Sequence, residues 1–199
     1  RSIPAMKIKP PFLRFTDVKA KVDSFRAEYE VLNCFPVDID TFLECDLQLE
    51  IVPFPRLRVR TAAEAILSLD FTTVFVDSDC FQNDTLWNRM KFSLAHEVGH
   101  LILHRDFLEG LSISNENDWF KFMNDMTTGD ASYCFLEHHA NWFAGMLLVP
   151  SDELVRLFQT SSPTLPALTR YFGVSQSVIA RRLDAEDVRP KIEAILRNG

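Results

Sequence analysis

A chain of 199 residues and 22.9 kDa is long enough for one domain with a real core, or a domain plus a small appendage. Its 47% hydrophobic and 25% charged residues are a globular composition rather than a disordered one, and no apolar run approaches the roughly 20 residues that span a bilayer. The formal charge of −7 is localised: residues 76–137 hold 11 acidic against 4 basic side chains, which argues against phosphate contacts there and favours a basic protein partner.

The opening residues, RSIPAMKIKPPFLRF, contain no apolar h-region, so no signal peptide is expected in them. Residues 16–32 place Val18, Val22, Phe25 and Tyr29 at helical spacing, and VDIDTFLECD (37–46) reads as a second, short helix. LQLEIVPF (47–54) and TTVFVD (72–77) are rich in β-branched and aromatic residues and read as strands. Pro53 and Pro55 limit the first strand or place it at an edge. LRVRT (57–61) and AILSLDF (65–71) are expected to add strands to the same small sheet.

From Leu86 to His104 the pattern is helical, with Leu94, Val98, Leu101 and Ile102 on one face and His96, Glu97, His100 and His104 on another. Residues 105–134 are polar and read as irregular, apart from a helical stretch around DWFKFM. A helix is predicted from Phe135 to Leu148, stopped near Pro150, and another from SDELVRLF with Ser151 or Asp152 as its N-cap. QTSSPTLP (159–166) reads as a linker, and two helices joined at Gly173 follow, the second capped by Ser175. The fold class is α+β, with a division at residue 160 between a main domain (1–160) and a C-terminal, helix-turn-helix-like segment (161–199). Residues 165–199 carry 6 basic and 4 acidic side chains, too small an excess to make nucleic acid the expected partner.

All five histidines fall between residues 96 and 139. His96-Glu97-Val98-Gly99-His100 is a complete HisGluxxHis pattern. Two imidazoles four residues apart on a helix face the same way and can grip one metal ion. The adjacent Glu97 can take a proton from metal-activated water. A catalytic zinc usually has three protein ligands. EHHANWFAG offers Glu137, His138 and His139 for the third, and Asn141 shares a helix face with Glu137, placed to orient a ligand. The cysteines at 34, 45, 80 and 134 lack CxxC spacing and are too sparse for a disulfide framework, so reduced thiols and a cytoplasmic location are expected. Cys134 is three residues from Glu137, but a small core residue is its plainer reading.

MKFSLAHEVGHLILH followed by EHHANWFAGMLLVP resembles the ImmA/IrrE family of zinc metallopeptidases. Phe92, Leu94 and Ala95 lead into the first segment. Glu137, Ala140, Asn141, Phe143, Ala144, Leu147, Leu148 and Pro150 fill the second. The flanking VDIDTFLECDLQLEIVPFP, TTVFVD and YFGVSQSVIARRL also occur in the family's order. Lys91, where the family often has arginine, and the 36-residue spacing of 101–136 are departures. The resemblance implies a zincin-like, gluzincin-like domain, with a small sheet packed on helices and the C-terminal helical segment after it. It implies Zn²⁺ (with Mn²⁺ as an in-vitro substitute) held by His96, His100 and Glu137, with Glu97 as general base. Family members cleave helix-turn-helix repressors, so a basic DNA-binding repressor is the implied substrate, with no direct nucleic-acid or membrane contact. A docking module that works as an anti-repressor without cleavage is the alternative.

His104, Tyr133, His138 and His139 are the candidates for oxyanion or substrate contacts. TTVFVD is the expected edge strand for an extended substrate. The segment 101–136, read as a long mobile loop carrying Trp119, Phe120, Phe122 and Met123, is expected to gate the site.

Overall fold

A computed structural model describes residues 9–128 and 133–198. Most of the stretch read for a signal peptide, residues 1–8, lies outside them. Helix α1 (Phe15–Glu28) starts where the Asp17 carboxylate accepts the Arg14 N–H, and it buries Val18, Val22 and Phe25. Helix α2 (Ile39–Thr41) runs into a wide π turn at Phe42–Asp46, so Ile39, Phe42 and Leu43 are all fully buried.

Strand β1 (Glu50–Phe54) follows, and then the first correction. LRVRT is a short helix, α3 (Leu57–Thr61), and not a strand. Arg56 and Ala62 bracket it at positive φ, Leu57 is buried, and the Thr61 hydroxyl donates back to the Leu57 carbonyl. The alternation of apolar and basic residues suggested a strand, but the left-handed corners leave room only for one turn. Of AILSLDF only Ala65–Leu67 is strand (β2), before β3 (Thr73–Asp77).

The strand order is β1-β3-β2, with β1 parallel to β3 and β2 antiparallel to it. TTVFVD is therefore the central strand and not an edge, which corrects the second expectation. Val74 and Val76 point to one face of the sheet and are fully buried, while Thr73 and Phe75 on the other face are half-buried. The edges are β1, which carries Pro53, and β2.

Helix α4 (Ser78–Phe81), capped by Asp77, leads to α5 (Trp87–Glu109). This helix is longer than expected and buried on several faces. Helix α6 (Glu116–Thr128) contains the helical stretch expected around DWFKFM but extends well beyond it, and with residues 101–109 in α5 it corrects the wider reading of 101–136 as a long mobile loop. Trp119, Phe122, Met123 and Met126 are spaced i, i+3, i+4, i+7 and all are buried. Trp119 is wholly inside, its indole N–H donating to the Leu67 carbonyl at 2.6 Å. The cluster read as a mobile flap is a helix face packed against α3, with Trp119 bonded to β2 and Phe120 set on Phe54 and Phe75.

Helix α7 (Cys134–Leu148) packs across α5 and against α1. Helix α8 (Ser151–Thr160) has Pro150 at its N-cap position, so Ser151 is its first residue rather than its cap, and its hydroxyl donates to Asp187. Only residues 161–164 separate α8 from α9 (Leu165–Phe172), which ends at Gly173 with φ +62° and is followed by α10 (Gln176–Leu183) and α11 (Arg189–Asn198). Arg182 on α10 points inward. It is 4% exposed, donates to the Val149 carbonyl and Ser151, and pairs with Asp187 at 3.1 Å.

Candidate metal centre

Helices α5 and α7 meet at a residue with no side chain. A methyl group on Gly99 would stand 3.0 Å from the Ala140 Cα and 3.2 Å from both its carbonyl oxygen and the Phe143 Cβ. Glycine facing alanine lets the two backbones approach this closely, which brings Glu137, one turn before Ala140, over His96 and His100.

There the side chains converge. His96 Nε2 and His100 Nε2 are 3.0 Å apart. The Glu137 carboxylate lies 3.3 Å from the first and 3.2 Å from the second. A tetrahedral zinc with bonds of about 2.0–2.1 Å separates its ligand atoms by roughly 3.3–3.4 Å, so this triangle fits such an ion. Among the described residues these three form the group that could hold a metal; Cys134, His138 and His139 do not join it. His96 Nδ1 is 3.3 Å from the Asn141 Oδ1. An amide oxygen only accepts, so this contact puts a proton on Nδ1, and in the neutral ring Nε2 then holds the lone pair that faces the triangle.

Electrostatics match the geometry. Burial works against charge on the Glu137 carboxylate, but the hydrogen bonds and charges of His100 and His96 outweigh it and hold its pKa well below the carboxylate range. Burial likewise opposes charge on His96, and Glu137 overrides it, raising the pKa. Glu97 behaves differently: burial dominates and raises its pKa. Its Oε2 accepts the Leu67 backbone N–H at 2.8 Å, which ties the carboxylate to β2.

The site opens into a cavity of about 320 Å³ lined by Ala63 and Glu64, the β2 residues Ala65 and Ile66, and Phe92, Met123 and Asn141. Asp77 N–H bonds the Glu64 carbonyl, and Ser68 N–H bonds the Thr73 carbonyl. By antiparallel alternation Ala65 and Leu67 then turn their backbone groups away from β3. Leu67 spends both of its groups on Glu97 and Trp119, so Ala65 presents the edge to the cavity. A second cavity of about 690 Å³, walled by Trp142, His138 and Val178, shares Phe92 and Asn141 with the first.

The four residues expected as oxyanion or substrate contacts are scattered. His104 and His139 are each 1% exposed and lie behind His100, away from the cavity. Burial pushes the His104 pKa down to about 2, with help from the neighbouring imidazoles. Tyr133 packs on Phe107 and Phe122, and His138 is exposed at the second cavity. Sequence reasoning missed Leu67 and Ala65, whose backbone groups meet Glu97, Trp119 and the cavity and so carry no residue-type signal.

Residues 87–184, from the first residue of α5 to just past α10, match the family described as the IrrE N-terminal-like domain, a peptidase family. The chain carries an ImmA/IrrE-family metallopeptidase domain. The IrrE-like span contains both helices of the triangle and the inward-facing Arg182. No curated protein matches the chain. No helix among the described residues is long and apolar enough to cross a membrane.

Proposed function

We propose that the chain is a zinc-dependent endopeptidase in which His96, His100 and Glu137 hold the metal and Glu97 is the general base. The observation that carries this reading is the triangle of ligand atoms, with edges of 3.0 to 3.3 Å, beside the buried carboxylate of Glu97. Bound there, zinc supplies a Lewis acid that polarises the scissile carbonyl and acidifies the attacking water. Glu97 Oε1 takes the water proton and returns it to the leaving amide nitrogen, while the Leu67 N–H keeps the carboxylate from rotating away. Its raised pKa makes it a better proton acceptor than an exposed glutamate. Asn141 fixes the His96 tautomer. The Ala65 backbone holds an extended substrate segment by strand addition.

The proposed substrate is a basic helix-turn-helix repressor, supported by the acidic excess of residues 76–137 and by the family. A cytoplasmic setting with reduced thiols suits such a substrate. Residues 161–199 are proposed to brace the 1–160 domain rather than read nucleic acid, since Arg182 is turned inward. The test is incubation of the zinc-loaded protein, with Mn²⁺ in parallel, with a repressor encoded beside its gene, and mapping of fragments by mass. Discrete fragments made by the wild type and not by Glu97→Gln support the reading. An intact repressor whose DNA binding is nonetheless abolished supports docking without cleavage.

A further inference from the structure

The reaction as proposed uses the first cavity and leaves the second without a role. At about 690 Å³ the second is large enough for a side chain and the main chain beside it, within the ~300–1,000 Å³ of ordinary ligand sites. Four elements wall it: the start of α1 with Phe15, α5 with Phe92, α7 with Trp142, and α10 with Val178 and Arg181. Its floor is preformed. A methyl group on Gly145 would stand 3.2 Å from the Arg182 Cδ, so α7 and α10 close on each other there. Arg182 donates to Val149 and Ser151 and pairs with Asp187, which fixes α10 in place.

The walls are mostly apolar. Trp142 is 36% exposed, and Phe15 meets it edge-on with ring centroids 5.5 Å apart, which sets the plane of the indole. Arg181 is exposed beside it and has no ionic partner among the described residues. Tryptophan and arginine around an apolar pocket are the residue types that carry most binding energy at protein interfaces.

The two cavities are continuous, since Phe92 and Asn141 line both. Phe92 is one turn before His96 on α5, and Asn141 is one turn after Glu137 on α7. Four helical residues rise about 6 Å, and an extended chain advances about 3.4 Å per residue. A substrate whose scissile carbonyl lies at the triangle therefore reaches the second cavity within about two residues. The Ala65 edge bonds main chain and is indifferent to sequence, so side-chain selection falls to a pocket of this kind.

We propose that the second cavity is a specificity subsite of the peptidase, that it takes a large apolar side chain (Leu, Met or Phe) from a substrate residue within two positions of the scissile bond, and that α10 supplies its outer wall. The C-terminal segment, helix-turn-helix-like in sequence, thus contacts the protein substrate rather than nucleic acid. The inference rests on the peptidase reading of the triangle and Glu97.

The test uses the zinc-loaded full chain and a library of random decapeptides, with cleavage sites mapped by mass. Leu, Met or Phe should be enriched at one position within two residues of the cut. The best peptide, and its counterpart with Ala at that position, then give KM and kcat separately. Ala185→Phe, which fills the cavity from its rim, should raise KM for the apolar peptide by about tenfold, hold kcat within about twofold, and leave the Ala peptide unaffected. Trp142→Ala should erode the same preference by removing a wall. Zinc content equal to wild type shows that each variant is folded. A readout without turnover is the Trp142 indole N–H in ¹⁵N spectra of zinc-loaded Glu97→Gln: a Leu-containing decapeptide should shift it, and the counterpart with Ala in place of Leu should not. Cleavage with no apolar preference near the cut, or a preference that survives both substitutions, would overturn the subsite while leaving the peptidase standing. A homodimer that covers Trp142 in the absence of peptide would do the same. A wild type that binds zinc but cuts nothing, with a Trp142 indole indifferent to peptide, would overturn both.

Discussion

The close crossing at Gly99 makes a quantitative demand. In Gly99→Ala the new methyl stands 3.0 Å from the Ala140 Cα, whereas carbon atoms in contact prefer about 3.5–4.0 Å, so α5 and α7 must part by roughly 0.5–1 Å. The neighbour is backbone, with no rotamer to yield. Two terms compete for stability. Alanine gains about 1 kcal/mol of helix propensity over glycine, and overpacking costs about 1–3 kcal/mol. Net stability of the metal-free protein should fall by about 0–2 kcal/mol. The metal site has less latitude, because ligand positions tolerate only about 0.2 Å. Glu137 is three residues from Ala140 and moves with it, so zinc affinity should drop by about tenfold, near 1.4 kcal/mol. Competition with a chromophoric chelator measures the affinity, and urea unfolding without metal measures the stability. Zinc affinity within twofold of wild type, together with metal-free stability raised by the propensity gain, would refute the claim that this crossing sets the triangle.

Other expected outcomes follow from the same geometry. Glu97→Gln should keep zinc and lose peptide hydrolysis, measured by metal content and fragment analysis on one preparation; proteolysis retained in that variant would remove Glu97 from its role. Trp119→Ala should cost about 3–5 kcal/mol in urea unfolding, since a wholly buried indole and its bond to Leu67 are lost, whereas a gating flap would tolerate the change. Burial works against the Asp187 carboxylate, but Arg182 outweighs it and lowers its pKa. Its stability contribution is therefore present above the unfolded value of about 3.9 and lost as pH falls through the lower folded value. Asp187→Asn should flatten that acid limb, and should cost about 3 kcal/mol at neutral pH by leaving Arg182 buried and unpaired, as read by urea unfolding across pH.

The helices bearing the triangle were legible because a metal site concentrates histidine and glutamate at helical spacing, and HisGluxxHis leaves little else to read. The role of Gly99 was hidden inside that motif, since a close crossing is a property of two helices and not of one. The core of α6 was legible around DWFKFM, but its full extent was obscured by averaging: Asn, Asp and Thr make up half of residues 115–128, yet Trp119, Phe122, Met123 and Met126 form one apolar stripe that a helical projection of the segment displays. For LRVRT the period-two alternation was real, and the positive φ values at Arg56 and Ala62 that end it have no signature in non-glycine residues. TTVFVD was correctly a strand, but its place between two others depends on β1 pairing with it across some twenty residues, while β2 pairs on its other side, which local patterning does not encode.

The central claim is that His96, His100 and Glu137 together hold the metal. Anomalous scattering at the zinc edge, from crystals of the zinc-loaded protein, tests it most directly. The account predicts one peak about 2.0–2.2 Å from His96 Nε2, His100 Nε2 and a Glu137 carboxylate oxygen, open toward the cavity lined by Ala65 and Glu97. A peak ligated by His138 or His139 in place of Glu137, or no peak between α5 and α7, would contradict it.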